Sequence, residues 1–119
     1  MTVQEFYDAV GGNYSEAMGR LMTEARVTKY VLKFAADDNY AKSLEALDAK
    51  NWEQLFLYTH NLKGVALNLC LGELGNAAAT LCDMVRHGAP TESVDEPAAA
   101  MKAAYEKTAA AIEKLKESC

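Results

Sequence analysis

The chain has 119 residues, 50% of them hydrophobic, and this length and composition predict one domain over residues 1–119. The formal net charge of −5 argues against a nucleic-acid partner. No apolar run reaches about 18 residues and no basic segment precedes an apolar one at the N-terminus, which argues against a membrane span and a signal peptide. Cys70, Cys82 and Cys119 are odd in number and widely spaced, so we expect free thiols and a cytoplasmic protein.

Short helices with recognisable caps open the chain. Thr2 and Glu5 have the spacing of a capping box, and Gly11-Gly12 ends the helix that they begin. Asn13 repeats the cap, with a glutamate three residues on. A third helical stretch over residues 23–35 is either capped by Thr23 or continuous with the second.

Four longer helices follow, and their apolar residues recur with helical rather than alternating period. We predict them near residues 38–48, 51–70, 73–87 and 94–117, the first of them extended or preceded by residues 23–35. Asn51 and Gln54 cap the second, Arg86-His87-Gly88 ends the third, and Ser93 with Glu96 caps the fourth. Because the connections are short, we predict an all-α protein: an antiparallel up-and-down four-helix bundle with the short N-terminal helices across one end.

The helix that begins at Asn51 carries the most informative residues, His60, Lys63 and Gly64. Positions i, i+3 and i+4 share one helical face, and side chains lean towards the N-terminus, so a side chain at position 64 would cover His60. At about 100° per residue, His60 lies roughly 120° from the centre of the apolar stripe, which predicts a solvent-accessible imidazole beside a cation. The stripe comprises Trp52, Leu55, Phe56, Thr59, Leu62, Ala66 and Leu69.

Each of these residues also has an ordinary structural interpretation. A single helical histidine is usually a surface or boundary residue, and a lysine is usually a solvated cation. A mid-helix glycine costs about 1 kcal/mol relative to alanine, and close helix packing could justify Gly64 as well as access to His60 could.

At these residues the chain resembles the histidine-containing phosphotransfer (HPt) family. The resemblance is carried by the segment Thr59-His60-Asn61-Leu62-Lys63-Gly64, with flanking matches at residues 50–53 and 71–74, and the order of helices fits roughly residues 3 to 116. The resemblance implies that His60 is phosphorylated, that Lys63 stabilises the phosphoryl group and that Gly64 provides clearance.

The implied function is that of a phosphorelay intermediate of two-component signalling. It would accept a phosphoryl group on His60 from the aspartyl phosphate of a receiver domain, or from a histidine kinase, and pass it to another receiver. We expect a monomeric carrier without a kinase or nucleotide site and without a cofactor or metal of its own, Mg²⁺ being supplied by the receiver. The initial Met1 and the complete set of helices favour a free-standing protein over a domain of a hybrid kinase. The alternative is a non-catalytic helical module that binds a receiver domain, with His60 incidental.

The family pattern is not met at two positions. Cys70 stands where a glycine usually follows the histidine helix, and Gly72 comes two residues later, so we expect a displaced turn. Cys82 stands where members often carry glutamate or glutamine facing the histidine, which removes that hydrogen bond to the imidazole. Arg86 matches a position that is basic in some members, and it joins Leu67 as an auxiliary candidate for holding the phosphoryl group or docking the partner.

Overall fold

The computed structural model describes residues 1–118, which form seven α-helices and no strand. The all-helical class predicted from the sequence is therefore confirmed for this part of the chain. Thr23 caps a separate helix, Glu24–Phe34, which neither continues the second helix nor runs on into the one that begins at Asn39. The helices are α1 (Val3–Ala9), α2 (Tyr14–Leu21), α3 (Glu24–Phe34), α4 (Asn39–Asp48), α5 (Trp52–Asn68), α6 (Gly72–Met84) and α7 (Asp95–Glu117).

Local capping hydrogen bonds begin several of these helices, as the sequence predicts. The Thr2 hydroxyl accepts from the Glu5 backbone N–H at 3.1 Å, and the Glu5 carboxylate accepts from the Thr2 N–H at 2.8 Å. At the start of α5, the Asn51 side chain accepts from the Gln54 N–H at 3.2 Å. Each such cap satisfies a backbone donor that has no partner inside the helix.

Two predicted helix ends are wrong. The N-cap of α7 is Val94, which makes no side-chain cap, and Ser93 instead accepts a hydrogen bond from the Asp95 N–H at 3.2 Å. Helix α6 ends at Met84, before the Arg86-His87-Gly88 segment. Residues 85–88 form hydrogen-bonded turns of the i to i−3 type, which tighten the chain after the last full helical turn.

The last four helices pack in chain order, α4 on α5, α5 on α6 and α6 on α7, while α1 packs against α7. Helices α4 and α7 also meet, because the rings of Tyr40 and Tyr105 stack with centroids 3.8 Å apart. The buried side chains of α5 face this core and belong to Leu55, Thr59, Leu62 and Ala66. The apolar stripe of α5 is thus turned inward, which leaves the opposite face of that helix in solvent.

The turn after α5 is not displaced, contrary to the sequence-based expectation. Cys70 itself adopts the left-handed conformation, with φ of 59°, directly after the C-cap. The N–H of Leu71 donates to the Ala66 carbonyl at 2.9 Å and that of Cys70 to the Leu67 carbonyl at 3.0 Å, which is a Schellman motif. The Cys70 carbonyl also accepts from the Asn13 N–H at 2.9 Å, so a tertiary contact helps to hold a backbone conformation that usually favours glycine.

The N-terminal helices hold this end of α5. The phenol of Tyr7 is buried and donates to the Leu69 carbonyl at 2.7 Å. Arg20 of α2 donates to the Leu67 carbonyl at 3.1 Å and pairs with Glu16 at 2.7 Å. The end of the histidine helix is therefore tied to α1 and α2 by three hydrogen bonds from outside the helix, counting the one at Cys70.

The thiols of Cys70 and Cys82 are buried and unpaired, as expected, whereas Cys119 lies outside the described residues. Burial raises the pKa of the Cys70 thiol. Within residues 1–118, no helix has the length and apolar character needed to span a membrane.

Candidate functional site

The site is built on the solvent-facing side of α5, where His60 lies midway along the helix with its side chain exposed. No hydrogen bond or ion pair within residues 1–118 engages the imidazole. His60 is thus accessible, as the helical register predicts.

Lys63 lies one turn beyond His60, and its side chain is half-buried. The ion pairs of residues 1–118 do not include it, so its ammonium is not neutralised by a neighbouring carboxylate of this part of the chain. A lysine that rests its stem on apolar surface keeps its charged end in water. The cation beside the imidazole is therefore available to an anion arriving from solvent.

Gly64 faces open space. A Cβ atom built there would meet nothing within 4 Å, so close helix packing does not explain this glycine. Gly75 on α6, in contrast, does permit close packing, because a Cβ there would lie 2.4 Å from Cδ2 and 2.7 Å from Cγ of Leu67. Close packing is therefore not the reason for a glycine at position 64.

Two exposed leucines flank the open space beside His60 and Gly64. Leu57 is 49% exposed and lies one turn before His60, and Leu67 is 38% exposed and lies one turn after Gly64. Leu67 was expected at the site from the sequence, whereas Leu57 was missed because no motif marks it.

Arg86 is linked to the site indirectly, because it contacts the ring of Phe56. Its guanidinium carbon lies 5.6 Å from the centre of the Phe56 ring, and its Nη2 donates to the Asp83 carboxylate at 2.5 Å. The Phe56 ring in turn stacks on the His60 imidazole, with centroids 5.9 Å apart and planes 19° from parallel. The sequence placed Phe56 only in the apolar stripe, and the stack on His60 was not foreseen.

Cys82 lies beneath the site rather than at its surface. Its side chain is fully buried, and the thiol donates to the Phe56 carbonyl at 3.7 Å. It faces the backbone of the histidine helix and makes no hydrogen bond to the imidazole.

The other polar groups near the site are few. On the α4 side, Asn61 donates to the Asn39 side chain at 3.3 Å. The exposed His87 lies in the turn after α6, without a lysine one turn on. Among residues 1–118, no group of three or more His, Cys, Asp or Glu side chains is arranged to hold a metal ion.

Comparison with known proteins gives one finding. A family model described as "Hpt domain" matches residues 33–117, which contain all of α4 to α7 and therefore His60 with its neighbours. Curated proteins and solved structures gave no significant match.

Proposed function

Because the chain belongs to the Hpt domain family, we propose that it accepts a phosphoryl group on His60 from the aspartyl phosphate of a receiver domain and passes it to another receiver. Hpt domains are phosphocarrier modules of two-component phosphorelays, have no kinase activity of their own, and interact with receiver domains and histidine kinases. A histidine kinase is thus a second possible donor, and the partners of this chain are proposed by their chemistry alone.

The observation that carries the proposal is the opening over His60. The imidazole is exposed, the space at Gly64 is empty, and the unneutralised cation of Lys63 lies one turn away. A phosphoryl group in transfer spreads negative charge over its equatorial oxygens, and catalysis consists mainly of positioning and electrostatic stabilisation. This site offers an acceptor, room and one positive charge.

In the proposed step, the lone pair of one imidazole nitrogen attacks phosphorus in line with the leaving oxygen. The P–O bond to the aspartyl carboxylate breaks, the carboxylate leaves with the bonding electron pair, and an N–P bond forms. The other ring nitrogen keeps its proton. Transfer to the next receiver reverses these changes, with the second aspartate as the attacking group.

The receiver domain would supply the remaining chemistry. We propose that it contributes both the acyl phosphate and the Mg²⁺ ion, and that Leu57 and Leu67 pack against it on either side of His60. Arg86 lies within reach of the same surface through its contact with Phe56 and is proposed to help to dock the partner or hold the phosphoryl oxygens.

The finer architectural and cellular statements belong to the same proposal. We infer a single domain over residues 1–119 in which α4, α5, α6 and α7 form an antiparallel four-helix bundle, because short connections make sequential helices antiparallel. We further propose a monomeric protein that acts in the cytoplasm, where kinases and receivers exchange phosphoryl groups.

The test is transfer from a panel of receiver domains carrying labelled aspartyl phosphate. The proposal predicts an acid-labile, base-stable label on the chain, and its absence from the His60→Gln variant. That variant should unfold at nearly the wild-type temperature, because the imidazole is exposed. A stable complex with a receiver but no label would favour the non-catalytic interaction module, and label retained in His60→Gln would refute the assignment of His60.

A further inference from the structure

The imidazole of His60 rests on an aromatic ring of its own helix. Phe56 precedes it by four residues, and because helical side chains lean towards the N-terminus, the His60 side chain lies back over Phe56. The nearly parallel planes and the centroid distance of 5.9 Å fall within the range of offset-stacked aromatic pairs. The imidazole is thus stacked against the Phe56 ring, while His60 as a whole stays exposed to solvent.

Phe56 is itself held from several directions. Its backbone carbonyl accepts from the Thr59 hydroxyl at 3.2 Å and from the Cys82 thiol at 3.7 Å. Its ring is partly buried against the core and also contacts the Arg86 guanidinium, which Asp83 fixes. A support anchored to both α5 and the end of α6 can restrict whatever rests on it.

We propose that Phe56 is a positioning residue for phosphoryl transfer: its ring holds the His60 imidazole in the rotamer that presents a ring nitrogen to the phosphoryl donor. This inference rests on the proposed function. Phe56 is proposed to act only through His60, on which its ring stacks.

The size of the effect follows from the freedom that the ring removes. A histidine side chain has up to three staggered χ1 wells and a broad χ2, and only part of this range points a nitrogen outward. Without the stack, the productive arrangement would be a minority of the population. We expect transfer at saturating donor to slow by about three- to tenfold, since the chemistry itself is unchanged.

Three substitutions separate positioning from core filling. Phe56→Leu keeps apolar volume but removes the flat ring, whereas Phe56→Tyr keeps the ring at this half-buried position. Val65→Ala is the matched control, because Val65 is also a partly buried residue of α5 packed against the core, and at five residues from His60 it lies on a different side of the helix. Repeating Phe56→Leu in an Arg86→Ala background tests whether the effect passes through Arg86 instead.

Two quantities are measured for each variant: the single-turnover rate constant at saturating phosphorylated receiver, and the NMR three-bond couplings and ring-current shifts of the His60 side chain. We expect Phe56→Leu to be slow with averaged couplings in both backgrounds. Phe56→Tyr should match the wild type in both quantities, and Val65→Ala should lose stability alone.

A Phe56→Leu variant that transfers at the wild-type rate overturns the inference. So does slowing of equal size in Val65→Ala, or an effect that disappears in the Arg86→Ala background. These failures differ from failure of the proposed function, which is recognised by a wild-type chain that takes no label and which removes this inference with it. The NMR measurement reports the stack without any phosphoryl transfer.

Discussion

Gly64 offers the sharpest test of the clearance argument, because stability and transfer should change in opposite directions there. The residue is helical and a Cβ would meet nothing within 4 Å, so the only expected effect of Gly64→Ala on stability is the gain in helix propensity. That gain is about 0.5–1 kcal/mol, which for a chain of this size raises the melting temperature by about 2–4 °C. The stabilisation is measured by thermal unfolding followed by circular dichroism.

The longer side chain of Gly64→Gln should keep most of that stability and slow phosphoryl transfer at least about tenfold, or about 1.4 kcal/mol in the barrier. The reason is that this side chain leans towards the N-terminus, over His60. Gly64→Ala, with one methyl group, should slow transfer far less. The rates come from rapid-quench single turnovers with a phosphorylated receiver domain.

Gly19 provides the matched control, since it is a helical glycine of α2 at which a Cβ also meets nothing within 4 Å. Gly19→Ala should stabilise the protein by a similar amount, and Gly19→Gln should leave transfer unchanged. A wild-type transfer rate in Gly64→Gln, or a loss of stability in Gly64→Ala, would contradict the proposal that Gly64 keeps the space over His60 clear.

Three further predictions concern the cation, the helix contact and the buried phenol. Lys63→Ala should raise the barrier to single-turnover transfer by about 1–2 kcal/mol in this open site. The slower rate should persist at saturating receiver, and a normal rate there would make Lys63 a docking residue only. Gly75→Ala should lower the unfolding free energy by about 1–3 kcal/mol in urea titrations, because its Cβ meets Leu67 at 2.4 Å, and Leu67→Ala should relieve part of that loss. Tyr7→Phe should cost about 1 kcal/mol by losing the hydrogen bond to the Leu69 carbonyl. Burial also raises the pKa of Tyr7 above its ordinary 10.0. Wild-type stability should therefore be independent of this group below about pH 10 and fall above it, where the unfolded chain ionises first, and this contribution to the fall should be absent in Tyr7→Phe.

The features that local sequence predicted are those that local physics decides. The caps at Thr2 and Asn51 form between residues three apart, so their spacing alone reveals them. The exposure of His60 follows from helical period and the position of the apolar stripe. Such properties depend on one helix and need no knowledge of its neighbours.

The features that sequence missed depend on contacts between distant segments. Cys70 takes a left-handed conformation that glycine usually adopts. Its carbonyl accepts a hydrogen bond from the N–H of Asn13, which lies in the connection between α1 and α2. The need for glycine at position 75 is visible only in the contact between α6 and the Leu67 side chain. The contact of Arg86 with Phe56 joins the turn after α6 to α5, and no local residue pattern marks it.

The central claim is that His60 carries a phosphoryl group between two proteins, and a label-and-chase experiment tests it most directly. The chain is labelled from a phosphorylated receiver domain, separated from it, and mixed with an unphosphorylated receiver, and mass spectrometry then locates the label. We expect phosphohistidine at position 60 before the chase, and its loss from the chain as label appears on the second receiver. A label at any other residue, or a label on His60 that no receiver removes, would contradict it.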